Sequence, residues 1–105
     1  MQQFIDIAGA SGAVYRFQPI SGHDRLPATA GNFLFVRGGS DAYEVICCGM
    51  TSGLAQARAA WSAAVEQHQV TAIFVRLNVS RAVRVREHED IIAGQNPAMV
   101  ITDLG

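Results

Sequence analysis

Apolar and polar positions alternate at the start of the chain, run together in its middle, and recur with helical spacing on either side of that run. FIDIAG (4–9) and AVYRFQPI (13–20) are short β-type runs around Ala10-Ser11-Gly12, which predicts a hairpin. SGHDRLPATAG (21–31), with Pro27 and two glycines, reads as the longest loop. Asn32–Arg37 reads as a strand, Gly38-Gly39-Ser40-Asp41 as a turn and Tyr43–Cys48 as the returning strand, a second hairpin. On simple alternation Tyr43 and Cys47 share a face of that strand, two pleats or ~13 Å apart.

The period then changes. Leu54, Ala57, Trp61, Ala64 and Val65 are spaced i, i+3, i+7, i+10 and i+11, one face of a helix that Thr51 or Ser52 can cap and that runs to about His68. VTAIFVRL (70–77) is nearly continuous apolar, as expected of a central strand covered on both sides. Ser80 can cap a second helix to about Ala93, with Gly94 placed to end it and Val85, His88, Ile91 and Ile92 facing inward. Met99–Thr102 can form a last short strand. The pattern predicts one domain over 1–105 of α/β (α+β) class, a small antiparallel or mixed sheet flanked by helices. No repeat or low-complexity tract interrupts it.

Composition adds a surface problem. Half of the 105 residues are apolar and only 16% are charged, against roughly 25% in an average soluble protein. Few charges on a small domain leave apolar surface in water, which points to a homodimer or another protein partner. The hairpin sharpens this, because Phe4, Ile5, Ile7, Val14, Tyr15 and Phe17 exceed what one side of two short strands can bury. Net charge is −1, with eight arginines and no lysine, and this balance argues against nucleic acid as a partner. No run of 18 apolar residues exists and MQQFIDIAGA has no basic segment before an apolar one, so a cytoplasmic protein away from membranes is expected. Cys47 and Cys48 are adjacent, which suits a disulfide poorly. Neither belongs to a CxxC pair, and His23, His68 and His88 are scattered, so the expectation is two core thiols, no metal and no cofactor.

Two clusters carry candidate chemistry. Arg76, Arg81, Arg84 and Arg86 have no acid between them, but Glu87, Glu89 and Asp90 follow at once. Arg84–Glu87 and Arg86–Asp90 can pair at i+3 and i+4, so a solvated, internally paired helix face is expected rather than a phosphate-binding surface. His88, among Val85, Ile91 and Ile92, reads as a core histidine bonded to a backbone carbonyl. The sharper alternative is a polar group on a cleft floor that binds a small anion. Trp61 reads as core or interface rather than a stacking platform. GHDR (22–25) matches no motif.

Three segments follow one another as signature blocks do: AGNFLFV (30–36), VICCGMTSGLAQAR (45–58) and EHEDIIAGQNPAMV (87–100). In order and spacing they resemble the GIY-YIG nuclease domain over residues 30–100, with the hairpin in 1–20 as an extension. Gly31-Asn32-Phe33 meets the family's first motif and Cys47-Cys48-Gly49 its second. Leu54 falls on the leucine that anchors the first helix, Ile91-Ile92 on the aliphatic pair and Pro97 on the proline. The resemblance implies a three-stranded antiparallel sheet flanked by helices, and hydrolysis of a phosphodiester around one divalent metal. It also locates the working residues, and here they are changed. Phe33 and Cys47 stand at the two tyrosines, Ala57 at the phosphate-steadying arginine, His88 at the metal-binding glutamate and Val100 at the asparagine. Phe33 cannot relay a proton, Ala57 offers nothing to an anion, and imidazole serves Mg²⁺ poorly. Relocation would have to use Arg58, Glu87 or Glu89, each about 100° around its helix from the family position. The expectation is a non-catalytic GIY-YIG-like domain for protein association, as a homodimer. The alternatives are a nucleic-acid binder using Arg76, Arg81, Arg84 and Arg86, and a metal-dependent endonuclease with relocated residues. If the old cleft holds a small ligand or anion, the candidate contacts are His88, Arg58, Arg76, Arg81 and Arg84.

Overall fold

Six strands and two helices account for most of the chain in the computed structural model, which describes residues 4–20, 26–38 and 42–104. In chain order they are β1 (Ile5–Ala8), β2 (Val14–Ile20), β3 (Gly31–Gly38), β4 (Tyr43–Thr51), α1 (Ala57–His68), β5 (Ala72–Leu77), α2 (Arg81–Gln95) and β6 (Met99–Leu104), with a 3₁₀ turn at Leu54–Gln56 before α1. The strands form one mixed sheet in the order β1-β2-β5-β3-β4-β6. All pairings are antiparallel except β4 with β6. The α/β reading therefore holds, as a sheet larger than the three-stranded one implied by the resemblance. GHDR and the turn residues 39–41 lie outside the described residues.

β5 is interior, as its unbroken apolar run requires, with Ile73, Phe74 and Val75 buried. Its neighbours are β3 and β2, so the N-terminal hairpin is what covers its second edge. Among β3, β4 and β5 alone, the middle strand is β3.

Alternation along β3 divides the core in two. Phe33 and Phe35 face α1, packing with Leu54, Ala57, Ala64, Cys47, Val75 and Leu26. Leu34 and Val36 face α2, packing with Phe17, Cys48, Phe74, Ile7 and Ile91. β4 breaks its own alternation. The register shifts between Phe35 and Val36, where Cys47 and Val45 are the partners and Ile46 is the extra residue of a bulge. Tyr43 therefore faces α2, edge-on to Phe74 at 5.3 Å, while Cys47 faces α1. The shared face expected for these two residues is corrected by that one inserted residue.

The helices differ from expectation at their ends and edges. Thr51 remains in β4, and its hydroxyl accepts from the Gly53 amide at 3.1 Å, so α1 starts only after the 3₁₀ turn. Val65 lies outside the buried stripe of Leu54, Ala57 and Ala64, and Trp61 packs edge-on to Phe35 at 5.3 Å. α2 begins at the expected Ser80, whose hydroxyl accepts from the Val83 amide. It does not end at Gly94. It ends at Asn96, left-handed at φ 50° and just before Pro97, which disfavours helical geometry in the residue preceding it.

Gly94 has a different task, because it lies under the hairpin. A Cβ there would come within 2.8 Å of Ala10 N, Ala8 O and Gly9 C. At an unhindered helix position Gly→Ala stabilises by up to ~1 kcal/mol. Here the added methyl meets backbone, so Gly94→Ala is expected to lower stability by about 1–3 kcal/mol, the range for overpacking. The denaturant midpoint measures it, and a more stable variant would mean that the hairpin is not seated on α2.

Candidate functional site

The five positions that the resemblance equates with nuclease residues do not meet. Phe33, Cys47 and Ala57 are fully buried in the cluster under α1. Phe33 stands opposite Gly49 in the β3–β4 register, and its ring lies where a Cβ on Gly49 would be. That packing fills the space over Gly49 on the α1 face of the two signature strands. His88 belongs to α2 on the other side of the sheet. Val100 pairs with Cys48, whose side chain packs on the α2 side. A sheet separates the two groups, and one phosphate or metal cannot touch both.

The anion candidates are dispersed in the same way. Arg58 is half-buried on α1, across the sheet from the rest, and Arg81 is exposed at the start of α2. Arg84 overturns its sequence reading as part of a solvated, paired face, because only 4% of it is exposed. Helical side chains lean towards the N-terminus, and that lean carries its guanidinium under the preceding loop. There Nη1 donates to the carbonyls of Asn78 (3.0 Å) and Val79 (2.9 Å). Nε is buried without a partner. The inward face of α2 is centred on Arg84, His88 and Ile91, with Val85 and Ile92 at its margin.

Beside Arg84 runs a polar seam between α2 and the sheet. Asn32, buried mid-sheet, donates to Arg84 O at 3.2 Å and accepts from Asn78 Nδ2 at 2.9 Å. Asn78 Nδ2 also donates to Glu87 Oε1 at 2.8 Å. Arg76 grips the same carboxylate, with Nε at 2.9 Å from Oε1 and Nη2 at 3.5 Å from Oε2, and stacks over Tyr15 at 5.5 Å. The expected Arg84–Glu87 and Arg86–Asp90 pairs are replaced, because both acids turn to the sheet. Asp90 accepts from the Ser11 amide (2.8 Å), the Ser11 hydroxyl (2.6 Å) and the Tyr15 hydroxyl (2.6 Å), fastening the hairpin to α2. These bonds hold its carboxyl below the ordinary value, Ser11 contributing most and Tyr15 next.

His88 completes the inner face. Its Nε2 lies 3.1 Å from Thr102 Oγ1 on β6, so its partner is a hydroxyl and not the backbone carbonyl expected. Burial pushes its pKa below 6.5, against a smaller opposite pull from Glu89. Burial also raises both thiols, Cys47 and Cys48, to about 12, which makes them neutral and unreactive. Among the described residues no group of three or more His, Cys, Asp or Glu could hold a metal. Chemically the seam is committed to holding α2 against the sheet. Sequence reasoning missed Asn32, Asn78 and Tyr15, and the available signal was an asparagine inside the apolar run AGNFLFV with no turn to explain it.

Compared with protein-family models, with curated proteins and with solved structures, the chain matches none of them. Among the described residues no helix is long and apolar enough to cross a membrane.

Two measurements test the seam. The Glu87 side chain is only 12% exposed, so Glu87→Gln leaves the partly buried Arg76 without its counter-charge and should cost about 1–3 kcal/mol. His88 binds its proton less readily folded than unfolded, so the unfolded state takes up more protons as pH falls. Stability should be full above about pH 7 and decline as pH drops below the unfolded value of 6.5. Asp90 contributes its own loss only below its ordinary value of 3.8, outside that window. His88→Gln should flatten the urea-midpoint profile between pH 5 and 7; an unchanged slope would assign it to other groups.

Proposed function

We propose that this chain is a non-catalytic GIY-YIG-like domain that serves protein association, first of all with a second copy of itself. One observation carries the non-catalytic half: Phe33, Cys47 and Ala57 are sealed in one core while His88 and Val100 lie across the sheet. The family likeness rests on the spacing of the three sequence blocks. The order strand, strand, helix, strand, helix over β3 to α2 is in keeping with it.

Association is supported by the surface. Phe4, Val14, Leu77 and Val79 are each more than half exposed, and three of them belong to the hairpin side of the sheet or to the strand it covers. The nucleic-acid reading is weakened because Arg76 and Arg84 are spent on Glu87 and on loop carbonyls. They are not available as a joint phosphate-binding row with Arg81 and Arg86.

Incubation with supercoiled and branched DNA in Mg²⁺ or Mn²⁺ should give no cleavage. Metal-dependent cutting that disappears in Arg58→Ala or His88→Ala would overturn the non-catalytic reading. Sedimentation at about 100 μM, a range that detects weak interfaces, should give about twice 11.2 kDa. A clean monomer there would remove self-association.

A further inference from the structure

The sheet is covered unequally. On the α2 side, Ile5, Ile7, Tyr15, Phe17 and Phe74 pack together beneath Ile91 and Ile92. On the α1 side, the helix and Leu26 cover β3, β4, the end of β2 at Ile20 and β5 as far as the fully buried Val75, and the cover stops there. The registers Asp6↔Arg16, Ala8↔Val14 and Gln18↔Val75 place those residues on the α1 side of β1, β2 and β5. Leu77 and Phe4 continue the same face by strand alternation. Phe4 is 57% exposed, Val14 61% and Leu77 53%. Between Phe4 and Leu77 lies an open groove of about 340 Å³, floored by Val75 and edged by Arg16 and Gln18.

We infer that this uncovered face is the self-association surface, and that its occupant is the same face of a second copy related by a two-fold axis. The inference rests on the self-association reading above. Charge selects the occupant. Arg76 also lines the groove but is paired with Glu87; the remaining charges of the patch are one acid and one base, Asp6 and Arg16, 3.1 Å apart and both more than half exposed. The patch therefore has no net charge with which to choose an acidic or basic partner. In a two-fold interface every contact of residue i with j′ is matched by j with i′, and an axis passing beside this pair brings Asp6 to Arg16′ and Arg16 to Asp6′. A neutral patch of this kind is complementary to itself. Shape agrees, since the groove lies beside the aromatic side chain that the second copy would insert. Aromatic residues and arginine are the usual anchors of interfaces, and Arg16 already lies 5.8 Å over the Phe4 ring.

Size sets the strength. Three strands at ~4.8 Å spacing and about seven residues of length give a face of roughly 300–400 Å² in plan. Even with side-chain relief this is at or below the standard interface of roughly 800 Å² per partner. An interface of this size belongs to the weak, transient class and not to the obligate one.

The test is sedimentation of the full chain across a concentration series, with circular dichroism to check folding. The substituted side chains are mostly solvent-exposed, so folding should persist. Leu77→Glu and Val14→Glu should each weaken the dimer at least about tenfold, which is about 1.4 kcal/mol. Val100→Glu, on the other side of the sheet, should leave it unchanged. Asp6→Arg and Arg16→Asp should each weaken it, and the two together should restore it. A parent chain monomeric at every concentration overturns the self-association reading itself. A parent dimer that survives Leu77→Glu and Val14→Glu, or that is lost in Val100→Glu, overturns this surface and leaves self-association standing. A double charge swap as weak as its singles overturns the two-fold pairing.

Discussion

Two helices cannot cover both faces of a six-stranded sheet. Six strands span about 25–30 Å, and a helix with its side chains is about 10–12 Å across. Each face must find other cover or remain partly wet. On one side the chain meets this with α2, which reaches both β4 and β1 and so closes the cluster around Phe17, Phe74 and Leu34. On the other side α1 closes only the half built on Phe33 and Phe35. The seam under α2 and the bare strip beyond α1 both follow from that allocation.

A helix stretched across a sheet needs anchorage at both ends, and α2 has few apolar residues to supply it. At its N-terminal end Arg84 and Glu87 bind loop carbonyls, Asn78 and Arg76; towards its C-terminal end Asp90 and Gly94 seat the hairpin. A buried polar network adds little net stability, but an arrangement that breaks it leaves a buried charge unpaired, which is costly. The arrangement also explains why the charged tract RVREHED carries no ready binding surface. Two of its three acids, Glu87 and Asp90, and one of its arginines, Arg84, point inward, where they fix geometry.

Much of the fold was legible in the sequence because period and turn chemistry are local. VTAIFVRL marks an interior strand, the Leu54–Ala57–Ala64 spacing a buried stripe, and Ser80 a cap that the folded chain uses. What stayed hidden was not local. Nothing in SGLAQARAAWSAAVEQH or RAVRVREHEDIIAGQ states which side of the sheet each helix takes, yet that choice decides whether Ala57 and His88 can share a site. A one-residue bulge at Ile46 turned Tyr43 away from Cys47. Arg84 was misread because an arginine in a charged tract is normally solvated, and only the loop carbonyls of Asn78 and Val79 make its burial tolerable. Gly94 looked like a stop because helix-ending glycines are common, whereas its role is close approach to a hairpin more than eighty residues earlier.

The pairing of Gln18 with Val75 sets an order of events. During synthesis at about 5–20 residues per second, the hairpin is complete seconds before the strand that receives it exists. For that interval Phe17 and Ile7 have neither β5 beside them nor α2 above them. Contacts so far apart in sequence also form slowly once the chain is whole. The hairpin is thus made well before its place on the sheet exists, and its apolar side is bare throughout the wait. An early hairpin with a late seat is an apolar surface that the unfinished chain must keep from other chains.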